Sequence, residues 1–245
     1  MKLLTEGNSV TLWEEGVLQS FPFAESEPQV LETMTSLAHQ LGFDYCAYGL
    51  RMPIPLSNPP VAMLCNYPVA WAEQYTARNY LAIDPTVRQA MKSTSAFVWS
   101  EETFSSERVF WEEARSFGLR EGLASVCRDT GGVSGMLSLV RSGEAITEIE
   151  WQAISARVLR LTEAAHWAFR GLVTPRLCPE LNAKLSPREA DILRWTGDGK
   201  TAQQVAEVLR ISERTVNFHL RNAMAKLNAA NKTEATLRAA VLGLL

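Results

Sequence analysis

The sequence predicts an α+β protein: a larger part that mixes strands and helices, then a smaller all-α part of four helices carrying a helix-turn-helix. Three observations carry this reading. Five short runs, FDYCAYGL, VAMLCNY, AFVW, LASVCRD and SGMLSLV, have the β-branched, aromatic and apolar content of strands, with helical stretches flanking them. Two prolines interrupt the stretch VTPRLCPELNAKLSP and separate the two parts. Beyond it, apolar residues recur at helical spacing behind residues suited to start helices.

The composition sets limits on both parts. A chain of 245 residues with 47% hydrophobic residues can bury a sizeable core in one or two domains. No run of eighteen apolar residues appears, so no membrane partner is expected. The start, MKLLTEGNSV, is too short and polar for a signal peptide, and a cytoplasmic location is expected. Cys46, Cys65, Cys127 and Cys178 are scattered without a C-x-x-C pair, which suits reduced thiols rather than disulfides or zinc. His39, His166 and His219 are far apart, and neither a nucleophile motif nor a metal-ligand cluster accompanies them. No catalytic residue, metal or cofactor is therefore expected.

The net charge of −3 is unevenly distributed. From Asn182 onward there are ten Lys and Arg against six Asp and Glu, or +4; the totals of 24 and 27 then leave fourteen and twenty-one before it, or −7. A basic tail on an acidic body suits a polyanionic partner for the tail, although ordinary scatter in charge gives the same picture.

In the first part, NYPVAWAEQYTARNYLAIDPTV places Tyr67, Trp71 and Tyr75 four apart, so the spacing predicts one side of a helix. Asp84-Pro85 then starts a new segment, with proline at a natural first helical position. Aromatics beside one carboxylate suit a small-ligand pocket, and aromatic stripes equally suit ordinary core packing. From Thr147 to Leu172, the residues Ile149, Ile154, Val158, Leu161, Ala165 and Phe169 mark a long helix. Residues 173–184 read as a linker between a domain at 1–172 and a domain at 185–245.

The second part opens on Ser186-Pro187-Arg188-Glu189, a capping box with proline at the first helical position. That helix should stop at Gly199. Thr201 with Gln204 opens a second helix, Ser212 caps a third, and Asn231 and Thr233 precede a fourth, EATLRAAVLGLL. In the third, Val216, Leu220, Ala223 and Leu227 recur on one face and Arg214, Asn217 and Arg221 on another, with no acid after Glu213. A short helix, a tight turn and this helix predict a helix-turn-helix, whose second helix enters the DNA major groove. Asn217 and Arg221 lie side by side, and Asn and Arg can each pair two-fold with adenine and guanine. Lys200, Thr201, Arg214, Thr215 and Lys226 stand where phosphate contacts are useful. A helical hairpin that packs on a protein partner shares the pattern.

Residues 185–245, with Glu189, Leu193, Trp195, Gly199, Lys200, Thr201, Ile211, Ser212, Thr215, Val216, Phe218, His219, Lys226 and Leu227, resemble the DNA-binding domain of the LuxR family of bacterial regulators. Residues of about 30–170 resemble the autoinducer-binding domain of its quorum-sensing receptors through Tyr67, Trp71, Tyr75, Asp84-Pro85, Trp99, Phe110-Trp111, Ala114, Gly118-Leu119, Gly122 and Ser138. The segments FDYCAYGLRMPIP and LVRS are most similar to solitary receptors without a partnered lactone synthase. The resemblance implies an α/β/α sandwich around a five-stranded antiparallel sheet.

It also implies an N-acyl-homoserine lactone as effector, bound by Tyr67, Trp71, Tyr75, Asp84, Thr86, Trp99, Phe110 and Ser138. Trp71 would donate to the lactone carbonyl, Asp84 accept from the amide N–H, and Tyr67 and Ser138 donate to the amide carbonyl. Tyr75, Trp99 and Phe110 would form apolar walls, and Asp84 would lack a partner until ligand arrived. The implied receptor is a homodimer on a dyad-symmetric site in double-stranded promoter DNA, with contact to RNA polymerase open. A rival reading is a regulator driven by phosphorylation, but residues 1–170 lack the βα alternation that it needs. A second rival takes a small molecule other than a lactone.

Overall fold

The five strand-like runs pair into one sheet in the computed structural model, which describes residues 21–245. The strands are β1 (Tyr45–Arg51), β2 (Val61–Cys65), β3 (Phe97–Val98), β4 (Glu121–Arg128) and β5 (Ser134–Arg141). Their order is β2-β1-β5-β4-β3, and the sheet is antiparallel. β4 and β5 pair along their whole length, from Glu121 opposite Arg141 to Arg128 opposite Ser134. This register puts Gly122 and Ala124 opposite Val140 and Ser138. The period of two then gives these four residues one face and Leu123, Ser125, Leu137 and Leu139 the other.

Helices α1 (Glu27–Gln40) and α5 (Glu148–Leu177) cover the second face. Thr35 of α1 meets Cys46 of β1 at 3.7 Å, and two residues along β1 the Tyr48 hydroxyl meets His166 Nδ1 of α5 at 3.1 Å. Gly135 makes room for that buried pair, because a Cβ there would run into Tyr48 Oη and lie 2.6 Å from His166 Nδ1. The stripe expected on α5 is largely in place: Ile154, Val158, Leu161, Ala165 and Phe169 are buried. Truncating Leu161 to Ala would cost about 2–5 kcal/mol. Ile149, expected on the same stripe, is instead 83% exposed, because it lies in the first turn of the helix.

The other face carries α2 (Val69–Ala77), α3 (Pro85–Lys92) and α4 (Arg108–Ser116). Trp71, Tyr80, Phe104, Phe110, Ala114, Leu119 and Val140 form a buried cluster between these helices and the sheet. Tyr67 does not share the helix of Trp71 and Tyr75: α2 starts only after Pro68, so Tyr67 lies before it and packs edge-on to Tyr45 at 6.2 Å.

The expected linker at 173–184 is largely ordered. Helix α5 continues through Pro175 to Leu177, and Pro179–Asn182 forms a 3-10 turn. Pro175 has no N–H to donate to the Gly171 carbonyl four residues earlier, and the helix ends two residues after it. The turn is held by Glu180, which pairs with Arg238 at 3.2 Å and accepts from Asn228 at 3.2 Å.

The described residues form two compact units. The sheet and helices through Leu172 make the first; Val173–Leu245 with the short segments Arg51–Pro60 and Asp129–Val133 make the second. The second holds α6 (Pro187–Gly197), α7 (Ala202–Leu209), α8 (Glu213–Lys226) and α9 (Lys232–Val241). Both capping boxes are formed, Ser186 with Glu189 and Thr201 with Gln204. Ser212 caps α8 and Asn231 caps α9, which therefore begins two residues before the expected Glu234. Gly199 has φ +83°, a left-handed conformation that ends the turn after α6 at little cost for glycine. Val216, Leu220, Ala223 and Leu227 are buried, as their spacing predicts.

Candidate functional site

The chain between α2 and α3 builds the centre of the site. Asn79 adopts a left-handed conformation (φ 52°), which Asn tolerates better than most residues, and reverses the chain after α2. The 3-10 turn Tyr80–Ala82 then returns it beneath Tyr75, whose ring lies edge-on to Tyr80 at 5.9 Å. Asp84 follows as the N-cap of α3, with Pro85 at the first helical position. Its Oδ1 accepts from the Thr86 backbone N–H at 2.8 Å and from Thr86 Oγ1 at 2.7 Å. Its Oδ2 accepts from the Tyr75 hydroxyl at 3.0 Å.

Asp84 is therefore satisfied within the protein, contrary to the expectation that it would lack a partner without ligand. Tyr75 is correspondingly a polar support of the carboxylate as well as an apolar wall. Burial pushes the Asp84 carboxyl above the usual carboxylate range, against the opposing pull of the Thr86 and Tyr75 hydrogen bonds. Burial likewise raises the Tyr67 phenol, while the nearby Ser138 hydroxyl works in the other direction.

Trp71 is 2% exposed and sits among Tyr75, Tyr80, Phe110 and Phe117, with ring centroids 5.6–6.0 Å away. Trp99 enters from the end of β3, where its backbone N–H donates to the Gly122 carbonyl at 2.8 Å. Its indole lies on the sheet because Gly122 has no side chain; a Cβ there would approach the ring to 2.7 Å. Among the described residues, Trp99 Nε1 is buried with no hydrogen-bond partner.

All eight residues expected to bind a ligand, Tyr67, Trp71, Tyr75, Asp84, Thr86, Trp99, Phe110 and Ser138, line one cavity of about 40 Å³. Phe104, Trp111, Ala114 and Leu119 complete its wall. Ala114 lies four residues after Phe110 on α4, so helical spacing could have added it, whereas Trp111 is the immediate neighbour of Phe110, a spacing that puts it on another face. Phe104 sits in a turn without periodic signal, and it reaches the wall by stacking on Trp111 at 4.0 Å and 7°. Sites for drug-sized ligands run to about 300–1,000 Å³, so a ligand of that size has to part these rings.

A polar clasp closes the same layer from outside. Glu113 of α4 accepts from Gln74 at 2.6 Å, from Arg78 at 2.6 Å and from the Tyr80 hydroxyl. These bonds, that of Tyr80 foremost, hold its carboxyl below the usual range against the opposing effect of burial. They join the C-terminal half of α2 and the turn that follows it to α4.

The expected DNA-facing residues separate into two groups. Arg214, Asn217 and Arg221 are exposed on α8. Arg221 Nε donates to the Asn217 carbonyl at 3.3 Å, so the two lie together. The others have duties inside the domain. Thr201 caps α7, and Thr215 Oγ1 meets Ser212 Oγ at 2.7 Å at the start of α8. Lys200 Nζ sits 5.4 Å over the Trp195 ring. Lys226 pairs at 2.7 Å with Glu189, whose side chain is only 4% exposed.

Comparison with known proteins finds two families along the chain. Residues 26–169 match the autoinducer binding domain family, and residues 183–239 match the luxR family of bacterial regulatory proteins. The chain is 42% identical over 235 residues to the transcriptional activator protein AnoR of Acinetobacter nosocomialis, covering 95% of this chain and 99% of AnoR. The crystal structure of Escherichia coli SdiA superposes with a TM-score of 0.84 at 34% identity, covering 96% of this chain and 98% of that one. SdiA in complex with octanoyl-rac-glycerol gives a TM-score of 0.83 at 34% identity and 96% coverage of both chains.

Proposed function

The chain belongs to the LuxR family of quorum-sensing transcriptional regulators, and on that premise we propose that its effector is an N-acyl-homoserine lactone, held in the aromatic cavity. One observation carries the reading. A buried carboxylate, two hydroxyls and an indole N–H meet in one apolar cavity, and together they complement an acylated amide. Asp84 Oδ2 accepts the amide N–H on the lone pair that Tyr75 leaves open. Tyr67 and Ser138, whose hydroxyls line the same cavity, donate to the amide carbonyl, and Trp71 Nε1–H donates to the lactone carbonyl. Thr86 fixes the direction of Asp84, while Trp99, Phe110, Phe104 and Trp111 enclose the ring and the first part of the tail. Each buried methylene of that tail contributes about 0.8 kcal/mol, which offsets the displacement of the aromatic layer.

Residues 1–172 form the sensor and 185–245 the DNA reader. Two copies, related by a two-fold axis, place their α8 helices on a dyad-symmetric promoter site in the bacterial cytoplasm. Asn217 and Arg221 read base edges, and Arg214 with Lys200 and the α7 and α8 N-termini anchors phosphates. The test is to extract small molecules from purified full-length protein made in cells fed a series of N-acyl-homoserine lactones. Retention of one lactone at close to one molecule per chain supports the assignment, and protein that retains none overturns it. A second reading, an acyl ligand without a lactone, is favoured by the SdiA complex with octanoyl-rac-glycerol, and it predicts that an acylglycerol survives the same extraction.

A further inference from the structure

Phe218 is 53% exposed on α8, whose opposite side buries Val216, Leu220 and Ala223. Arg214 lies four residues before it and Arg221 three after it, and both are exposed. At helical spacing the three side chains leave one outward face. The ring contributes little to the core, and a phenylalanine in this position forms helix less well than Ala, Leu or Lys. It does pack against the ring of His219, at 5.4 Å and 72°. No acid follows Glu213 until Glu234, so the surroundings of the ring are basic.

Base edges in the major groove are polar with one exception, the C5-methyl of thymine, which phenylalanine can contact. A protein partner that covered Phe218 would have to desolvate both arginines or supply carboxylates for them, whereas DNA supplies phosphates and guanine edges. We propose that Phe218 reads a thymine in the operator half-site by packing on its methyl group. The proposal rests on the reading of α8 as the recognition helix.

The experiment uses full-length protein purified from cells grown with N-octanoyl-homoserine lactone. A randomised duplex library defines the preferred site, and each thymine is then replaced by deoxyuridine, which removes only the methyl. Wild type should lose about fourfold in affinity at one thymine per half-site, the value of one buried methyl-sized group. Phe218→Ala should bind the thymine duplex about as weakly as wild type binds the uracil duplex, and should not distinguish the two. Its melting temperature should match wild type, because the ring is largely outside the core. Identical uracil losses in wild type and variant at every position would overturn the proposal alone. Unchanged DNA binding by Phe218→Ala, with loss of promoter activation, would also overturn it and place a protein partner on the ring. If wild type selects no sequence at all, the recognition-helix reading falls and takes this proposal with it.

Discussion

Tyr75 donates its hydroxyl proton to Asp84 Oδ2 over 3.0 Å, while Thr86 donates twice to Oδ1. The carboxylate proposed to hold the effector is thus oriented by the protein before any ligand arrives. Orientation in advance reduces the ordering cost of binding. It does so at the expense of burying a charge that burial itself disfavours.

That cost gives a pH prediction. Burial raises the Asp84 carboxyl in the folded protein above its unfolded value of 3.8. For a carboxyl shifted upward, the associated stability is fully present below the unfolded value and is lost as pH rises through the folded one. Asp84→Asn removes this loss. Without lactone, the variant should therefore gain melting temperature relative to wild type as pH rises from the unfolded value of 3.8 through the raised folded one. In a reporter strain it should not respond to lactone. A variant that loses ground to wild type with rising pH, or that keeps a normal lactone titration, would count against this account of Asp84.

Glu113 makes the second prediction. Its bonds with Gln74, Arg78 and Tyr80 join α2 and the turn that follows it to α4. Glu113→Ala should loosen that clasp, so bound lactone should dissociate several-fold faster. Because these bonds hold the carboxyl below 4.5, their contribution is present above that pH and is lost as pH falls through the lowered value. Dissociation from wild type should therefore accelerate in acid toward the rate of the variant. A rate equal in both proteins at neutral pH would remove Glu113 from the gate.

Lys226 makes the third. The sequence suggests a phosphate contact, and its substitution would then lower the salt dependence of DNA binding by about one unit. The structure gives its charge to Glu189, which burial would push up but which the Lys226 ion pair and the Ser186 N–H hold below the usual range. Lys226→Ala should destabilise the second domain by about 1–3 kcal/mol, less than breaking a fully buried pair because Lys226 is 41% exposed. Adding Glu189→Gln should restore part of that loss, since no buried charge then remains unpaired. Thermal melts of the single and double variants decide this. An unchanged melting temperature with a salt slope lowered by one unit would return Lys226 to the phosphates.

The strands, the capped helices of the second domain and the eight cavity residues were legible in the sequence for different reasons. Alternation and capping are local, so Ser186 with Glu189 and Thr201 with Gln204 could be read directly. The cavity residues were legible through resemblance, because Tyr67, Trp71 and Tyr75 alone fit a core stripe as well as a pocket. What was not legible is set by long-range packing. Tyr80 and Glu113 stand 33 positions apart, and neither carries a signal for the other. The support that Tyr75 gives Asp84 depends on the left-handed turn at Asn79, which periodicity does not show. The partner of Lys226 lies 37 positions away on α6, so its charge reads as free in the sequence.

The most direct test of the central claim is the melting temperature of full-length wild-type protein with a saturating N-acyl-homoserine lactone and with an ester analogue that replaces the amide N–H by oxygen. Ligand at about one hundred times its Kd stabilises the folded state by about 2.7 kcal/mol. The lactone should therefore raise the melting temperature by several degrees. The ester offers Asp84 no hydrogen bond and sets an oxygen lone pair against the carboxylate, so it should give little rise at the same concentration. Equal rises with the two compounds, or no rise with a lactone of any chain length, would contradict the assignment of Asp84 and its cavity as the receptor site.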